Sequence, residues 1–216
     1  MLISWRLLSY AFCIGIGIAT AYSHPEIYRI QIGLQTYVVP LVPIANNTLK
    51  IAYIDLKDNP VLIEALATEI AKYIKAHRKQ IDVLVTPEAN TMALAYAVHQ
   101  KTGIDYIILS KKERPNLGNK ALSVNVKSIT TDTVQTLWLS EENIKKIANR
   151  KVLILDDTIS SGGTINAIKT LIQKANGIMV LPPLVGFYEG SKRDDVTAIS
   201  PTVLPLTPVT HSEDGL

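Results

Sequence analysis

The sequence predicts an α/β fold, a parallel sheet flanked by helices, and two observations carry that prediction. Short continuous apolar runs at residues 81–85, 104–109 and 151–155 read as strands buried on both faces, as the strands of parallel sheets are. Helical segments at 91–101 and 164–175 follow two of them, and strand–helix–strand alternation is how crossover units are written.

Taken in order, the chain begins with a segment unlike the rest. Residues 7–25 contain no Asp, Glu, Lys or Arg, and Arg6 is the one charged side chain ahead of them. Ala19-Thr20-Ala21 then places small residues at the spacing of a signal-peptidase site. A basic start, an apolar middle and a small-x-small exit describe a secretory signal peptide over residues 1–21. A membrane anchor is the rival, although a span needs about 20 apolar residues and this run is slightly shorter. A core helix fits least, because Gly15 and Gly17 each lower helix propensity by about 1 kcal/mol.

Residues 22–199 read as the folded domain and 200–216, rich in Pro, Thr and Ser, as a flexible tail. Tyr28, Ile30, Ile32 and Leu34 alternate with Arg29, Gln31 and Gly33 as a half-buried strand does. A break is expected at Pro40 and Pro43, then a strand over 49–55. Asn59-Pro60 opens a helix with an N-cap and a proline at its first position. Its apolar stripe is Leu62, Leu66, Ile70, Tyr73 and Ile74, and His77-Arg78-Lys79 suits the negative end of its dipole. Residues 111–149 are polar and alternating, with candidate strands at 123–126 and 133–139; they predict a β-hairpin and then a short helix over 141–147. The apolar run 178–187 is interrupted by Pro182-Pro183, so its strand must break there or lie at an edge.

Composition excludes several classes of function. The 216 residues carry 22 basic and 19 acidic side chains, a formal charge of +3, which is too small a surplus to predict nucleic-acid binding. The single cysteine, Cys13, can build neither a disulfide framework nor a Cys-based zinc site. It would leave with the signal segment, which fits an oxidising compartment.

The chemistry is concentrated between Val152 and Thr164. An apolar strand delivers Asp156 and Asp157 to its C-terminal edge, where open α/β sheets bind ligands. Thr158, Ser160, Ser161, Gly162, Gly163 and Thr164 follow as a turn into a helix. Glycines let a ligand approach the backbone, the hydroxyls donate, and free amides at a helix start hold a phosphate dianion. Two carboxylates beside a phosphate site suit a phosphorylated sugar, because they can accept hydrogen bonds from ribose hydroxyls. The P-loop lysine and the G-x-G-x-x-G of dinucleotide folds are absent.

This stretch closely resembles the phosphoribosyl pyrophosphate motif of the type I phosphoribosyltransferases, in their purine (adenine and xanthine) branch. The resemblance covers roughly residues 49–195. It implies a parallel sheet flanked by helices, with a small N-terminal hood and a mobile β-hairpin lid over residues 111–139. It implies that Asp156 and Asp157 hold the ribose hydroxyls and that Thr158 to Thr164 wraps the 5-phosphate. Glu88, Ala89, Asn90 and Thr91 stand where the family has its pyrophosphate loop, with Asn90-Thr91 in place of a frequent glycine. Lys111, Lys112 and Arg114 are similar to a basic cluster that contacts pyrophosphate. Phe187 and Tyr188 stand near the family's base site, where an aromatic can stack on a purine.

The implied reaction moves the phosphoribosyl group from 5-phosphoribosyl 1-pyrophosphate to a purine, releasing pyrophosphate in purine salvage. Magnesium is expected, held mainly by substrate oxygens, with no protein ligands required. The expected partners are these small molecules and a second copy of the chain, with no nucleic acid, and a membrane only if residues 1–21 are retained. The alternative is a non-catalytic protein of the same fold that binds a nucleotide or sugar phosphate. A DNA-binding regulator is disfavoured, because residues 22–50 are too short and strand-like for an added helical reader. The signal predicts export, while activated sugar phosphates are cytoplasmic metabolites, and the two readings pull against each other.

Overall fold

A computed structural model describes residues 26–44, 48–77, 81–127 and 134–209. The proposed signal segment lies outside the described residues, as do Arg78, Lys79 and residues 210–216. Two sheets make the scaffold.

The first is a small antiparallel sheet at the N-terminal side. β1 (Ile27–Ile32) and β2 (Gln35–Ile44) form a hairpin, and β3 (Leu49–Ala52) pairs with β2. β2 runs through both prolines, against the expected break. Leu41 faces Ala52 at the end of the β2–β3 ladder, so Pro40 sits one position beyond it. Pro43 turns its nitrogen to the β1 side, past the last β1–β2 pair at Ile27 and Pro40. Neither proline removes a hydrogen bond from inside a ladder, which is where proline is tolerated.

α1 (Pro60–His77) follows, its start capped as predicted by Asn59 Oδ1, which accepts the Leu62 N–H at 3.1 Å. The second sheet then begins with β4 (Val83–Pro87), α2 (Met92–Thr102) and β5 (Asp105–Leu109), the two strands parallel. After β5 come a 3-10 turn at Pro115–Leu117 and the predicted hairpin, β6 (Leu122–Lys127) against β7 (Val134–Leu139). α3 (Glu141–Ile147) is capped by Ser140. β8 (Lys151–Ile159) enters the sheet beside β4, and α4 (Gly163–Lys174) crosses back over it.

The apolar run 178–187 does break at its prolines. It gives β9 (Ile178–Met179), paired with β8, and β10 (Leu184–Glu189), which is interior, lying between β8 and the short strands β11 (Thr197–Ala198) and β12 (Val203–Leu204). The main path of this parallel sheet is β11-β10-β8-β4-β5. Both faces are covered, and β8 shows how. Val152 and Ile154 enter a core with α3, α4 and the hairpin, whereas Leu153 and Leu155 enter one with α1, α2 and the small sheet.

The predicted flexible tail is corrected over its described part. Ser200 is buried, with its Oγ donating to the Gln31 carbonyl at 2.6 Å. β12 joins the parallel sheet, and β13 (Leu206–Pro208) pairs with β3. The C-terminal segment therefore links the two sheets, because its hydrogen bonds have partners in both. Among the described residues no helix is long and apolar enough to cross a membrane.

Candidate functional site

The strand that carries the acids is longer than the sequence predicts. β8 continues through Asp156 and Asp157 to Ile159, because β10 supplies partners for that stretch: Val185 faces Asp156 and Phe187 faces Thr158. Gly186 lies between them. A Cβ there would stand 2.6 Å from the Asp157 carbonyl oxygen, so β10 approaches Asp157 this closely only as glycine.

Beyond β8 the chain turns through Ser160 and Ser161 into α4. Gly162 has φ 85°, the left-handed conformation, and caps the helix. The first turn of α4 leaves N–H groups with no intrahelical partner, at the positive end of the dipole. Arg193 braces this turn from outside: Nη1 donates to the Ser161 carbonyl at 3.1 Å, and Nε pairs with Asp195 at 3.0 Å. Lys169 of α4 reaches the same Asp195 at 3.2 Å. Through these two cations the Asp195 carboxyl lies below the usual carboxylate range, Arg193 being the larger cause.

A cavity of about 510 Å³ opens over the turn. Its floor is Asp156 to Ile165, one wall comes from the small sheet and the segment after it (Ile51 to Ile54 and Lys57), and Ala89, Asn90, Lys111, Val126, Gln135, Glu189 and Leu204 complete it. The hairpin borders the cavity through Val126 and Gln135, while Leu137 and Leu139 of the same hairpin are buried in the core with α3 and α4. Of the predicted site residues, the structure brings together Asp156, Asp157, Thr158, Ser160, Ser161, Gly162, Gly163, Thr164, Ala89, Asn90 and Lys111.

The others stand elsewhere. Glu88 is turned toward its own neighbours. Its Oε1 accepts the Lys111 N–H at 2.6 Å and the Ser110 hydroxyl at 3.2 Å, and its Oε2 binds Arg114 at 3.0 Å. Arg114 is therefore engaged with Glu88, and Lys112 is an exposed side chain outside the lining. Thr91 lies beneath the floor, donating to Asp156 Oδ1 at 2.9 Å. The peptide bond between Glu88 and Ala89 is cis.

The aromatic prediction is corrected. Phe187 is 0% exposed and belongs to the core between β10 and α1, so it cannot stack on a ligand. Tyr188 donates its hydroxyl to the carbonyls of Arg193 (3.1 Å) and Val196 (2.5 Å) and does not line the cavity. Period-2 alternation in an interior strand sends one side chain to each core, and this pair follows it. The aromatic at the cavity is Tyr53, 40% exposed on the hood-side wall. Glu189 was also missed. Its one sequence signal is that it follows an apolar run, as Asp156 and Asp157 do.

Charge within the site is uneven. Burial, then the Asp157 charge, pushes the Asp156 carboxyl well above the ordinary carboxylate range; Asp156 is 6% exposed. Burial also raises Glu189, against the lowering effect of its hydrogen bond with Ser160. Lys57 and Lys111 are the cations of the lining. The lining carries carboxylate oxygens of the kind magnesium takes, at Asp156, Asp157 and Glu189, and among the described residues no three or more His, Cys, Asp or Glu side chains are grouped to hold a metal ion.

The description "Phosphoribosyl transferase domain" belongs to the family model that matches residues 53–180. Over 115 residues the chain is 32% identical to the purine biosynthesis transcriptional repressor PurR of Bacillus subtilis (strain 168), covering 51% of this chain and 39% of the repressor. It thus spans well under half of that relative. Over 154 residues it is 26% identical to the xanthine phosphoribosyltransferase of Bacillus cereus (strain G9842), covering 69% of this chain and 76% of the enzyme. The fold is similar to that of the adenine phosphoribosyltransferase from Thermoanaerobacter pseudethanolicus, with TM-score 0.55 and 20% identity over 70% of this chain and 84% of that one.

Proposed function

The chain belongs to the phosphoribosyl transferase domain family, and from that premise we propose that it transfers the phosphoribosyl group of 5-phosphoribosyl 1-pyrophosphate to a purine base. The observation that carries this reading is the continuity of the floor: paired carboxylates near the end of β8 lead through the Ser160-Ser161 turn into the glycine-bearing start of α4, within one cavity. The free amides of α4 and the Ser160, Ser161 and Thr164 hydroxyls take the 5-phosphate. Asp156 and Asp157 accept the ribose hydroxyls, and the charge of Asp157 favours positive charge developing at C1. The C1–O bond to pyrophosphate breaks and a C1–N bond to the base forms.

Lys111 and the backbone at Ala89 hold the pyrophosphate side, and Tyr53 offers a face for the base on the hood-side wall. Magnesium, bound through substrate oxygens, supplies charge neutralisation for the pyrophosphate. The hairpin over residues 111–139 is the lid that keeps water from the activated sugar. Little acid–base chemistry is asked of the protein, and positioning does most of the work.

Purified protein incubated with magnesium, 5-phosphoribosyl 1-pyrophosphate and, separately, adenine, guanine, hypoxanthine and xanthine should yield a nucleotide with at least one base. If none reacts, the proposal fails. A second reading, a sensor that binds a nucleotide or sugar phosphate without turnover, is favoured by the identity to a repressor and by the engagement of both acids with Asn90 and Thr91. Calorimetric binding of ribose 5-phosphate without product from any base would support it. We further propose that residues 1–21 direct export and that the protein is a homodimer. An N-terminus at Tyr22 in the native protein, and a dimer mass by light scattering, are the respective tests.

A further inference from the structure

Asn90 spends its whole side-chain amide across the cavity. Nδ2 donates to the Ile54 carbonyl at 3.0 Å and also to Asp157 Oδ2, and Oδ1 accepts the Leu56 N–H at 2.9 Å. The chemistry of the partners fixes this orientation. Leu56 offers only a donor and Ile54 only an acceptor, so a flipped amide would oppose like to like at both. Ile54 and Leu56 belong to the segment that carries Tyr53 and Lys57 on the hood-side wall, and Asp157 is part of the opposite floor. One amide therefore ties the two sides together.

We infer that Asn90 is a positioning residue that couples the hood-side wall to the sugar-binding acids. This rests on the proposed function placing a ribose at Asp156 and Asp157. Sugar hydroxyls that bond to Asp157 fix the carboxylate to which Asn90 is bonded. The amide, held at that end, then braces Ile54 and Leu56, and with them the wall offered to the second substrate. Binding on one side thus favours binding on the other, and by linkage the effect is reciprocal. Thr91 holds Asp156 and, at 3.4 Å, the second oxygen of Asp157, so the acids stay in register while Asn90 carries the connection to the wall.

The test is hydrogen exchange on the full chain with ribose 5-phosphate as the probe. In the wild type, saturation should slow amide exchange at 158–164 and, by about tenfold, at Leu56, a change within the usual range for coupled sites. In Asn90→Ala the response at 158–164 should persist while Leu56 changes less than about twofold. Asn90→Asp, nearly the same shape, keeps the acceptor for Leu56, loses both donors and sets carboxylate against carboxylate. It should show the same uncoupling if the alanine variant does not fold. Equal protection of Leu56 in wild type and variant overturns the inference, as does a wild type in which only 158–164 responds. No response at 158–164 in the wild type overturns the proposed function, and this inference with it.

Discussion

Two loops leave the same edge of the parallel sheet and use their polar groups in opposite ways. The turn from β8 into α4 presents backbone amides, hydroxyls and glycines to the cavity, and Arg193 braces it from outside. The turn from β4 into α2 commits its side chains to protein partners: Glu88 to Lys111, Ser110 and Arg114, Asn90 to the hood-side wall and Asp157, Thr91 to Asp156. The first loop is built to meet a ligand, and the second to hold in place the groups that do. Polar residues at a sheet's carboxyl edge are therefore not equivalent evidence of contact with substrate.

Substitutions at the two loops can break this contrast or sharpen it. The largest effect is expected at Gly162, where φ is 85° and an added Cβ would meet the Arg193 guanidinium at 3.1 Å. Gly162→Ala should lower kcat/KM by about 100-fold, the size expected when a reacting group is displaced by about 1 Å. Steady-state kinetics decide it, and an unchanged kcat/KM would show that the turn has no strict geometry. Next, Glu88→Ala leaves several donors without their acceptor and should cost about 1–3 kcal/mol in urea unfolding. The KM for 5-phosphoribosyl 1-pyrophosphate should move less; a large rise in KM with stability intact would return Glu88 to the ligand and dissolve the contrast.

A smaller effect separates the acids from the loop that holds them. The raised carboxyl of Asp156 retains in the fold a proton that the unfolded chain gives up. Stability is therefore lost as pH rises from the ordinary carboxylate range toward the folded value. Asp156→Asn keeps the Oδ1 that accepts from Thr91 and removes this penalty. It should raise Tm by about 2–4 °C at pH 8 and by less at pH 5, for about 1 kcal/mol of relief. Equal gains at both pH values would show that its charge costs the fold nothing. The smallest effect belongs to Lys112, exposed and outside the cavity, where alanine should change stability by less than about 0.5 kcal/mol. Its kinetics should follow, and a pronounced fall in kcat/KM would mean that it reaches the pyrophosphate when substrate is bound.

The contrast also explains what was legible in the sequence. The β8–α4 floor could be read because its function is encoded in local backbone chemistry, two acids and then small residues that permit a turn. The helix at Pro60, the capped helix at Glu141 and the hairpin were legible for the same reason, since their signals lie within a few residues. Glu88 and Asn90 were read as ligand-directed because their actual partners, Arg114 and Leu56, are defined only by the fold. Phe187 misled for a related reason: a strand terminus looks exposed until both of its neighbours in the sheet are known. Tyr53 and Arg193 carried no local signal, since one gains its place from the wall of a separate sheet and the other from a loop that returns to brace the turn.

The stitch made by β12 and β13 has a consequence for how the protein is born. Every group of the floor, from Asp156 to Thr164, precedes it in the chain, whereas β3 receives its outer strand only from Leu206–Pro208. Translation proceeds at about 5–20 residues per second, so the edge of β3 waits bare while the rest of the domain emerges. An uncovered strand edge invites pairing with other chains. Loss of Leu206–Pro208 would thus leave the chemistry spelled out in full on a protein with a bare strand edge. In a chain bearing the proposed export segment, the same delay keeps the hood unfinished until Leu206–Pro208 have emerged.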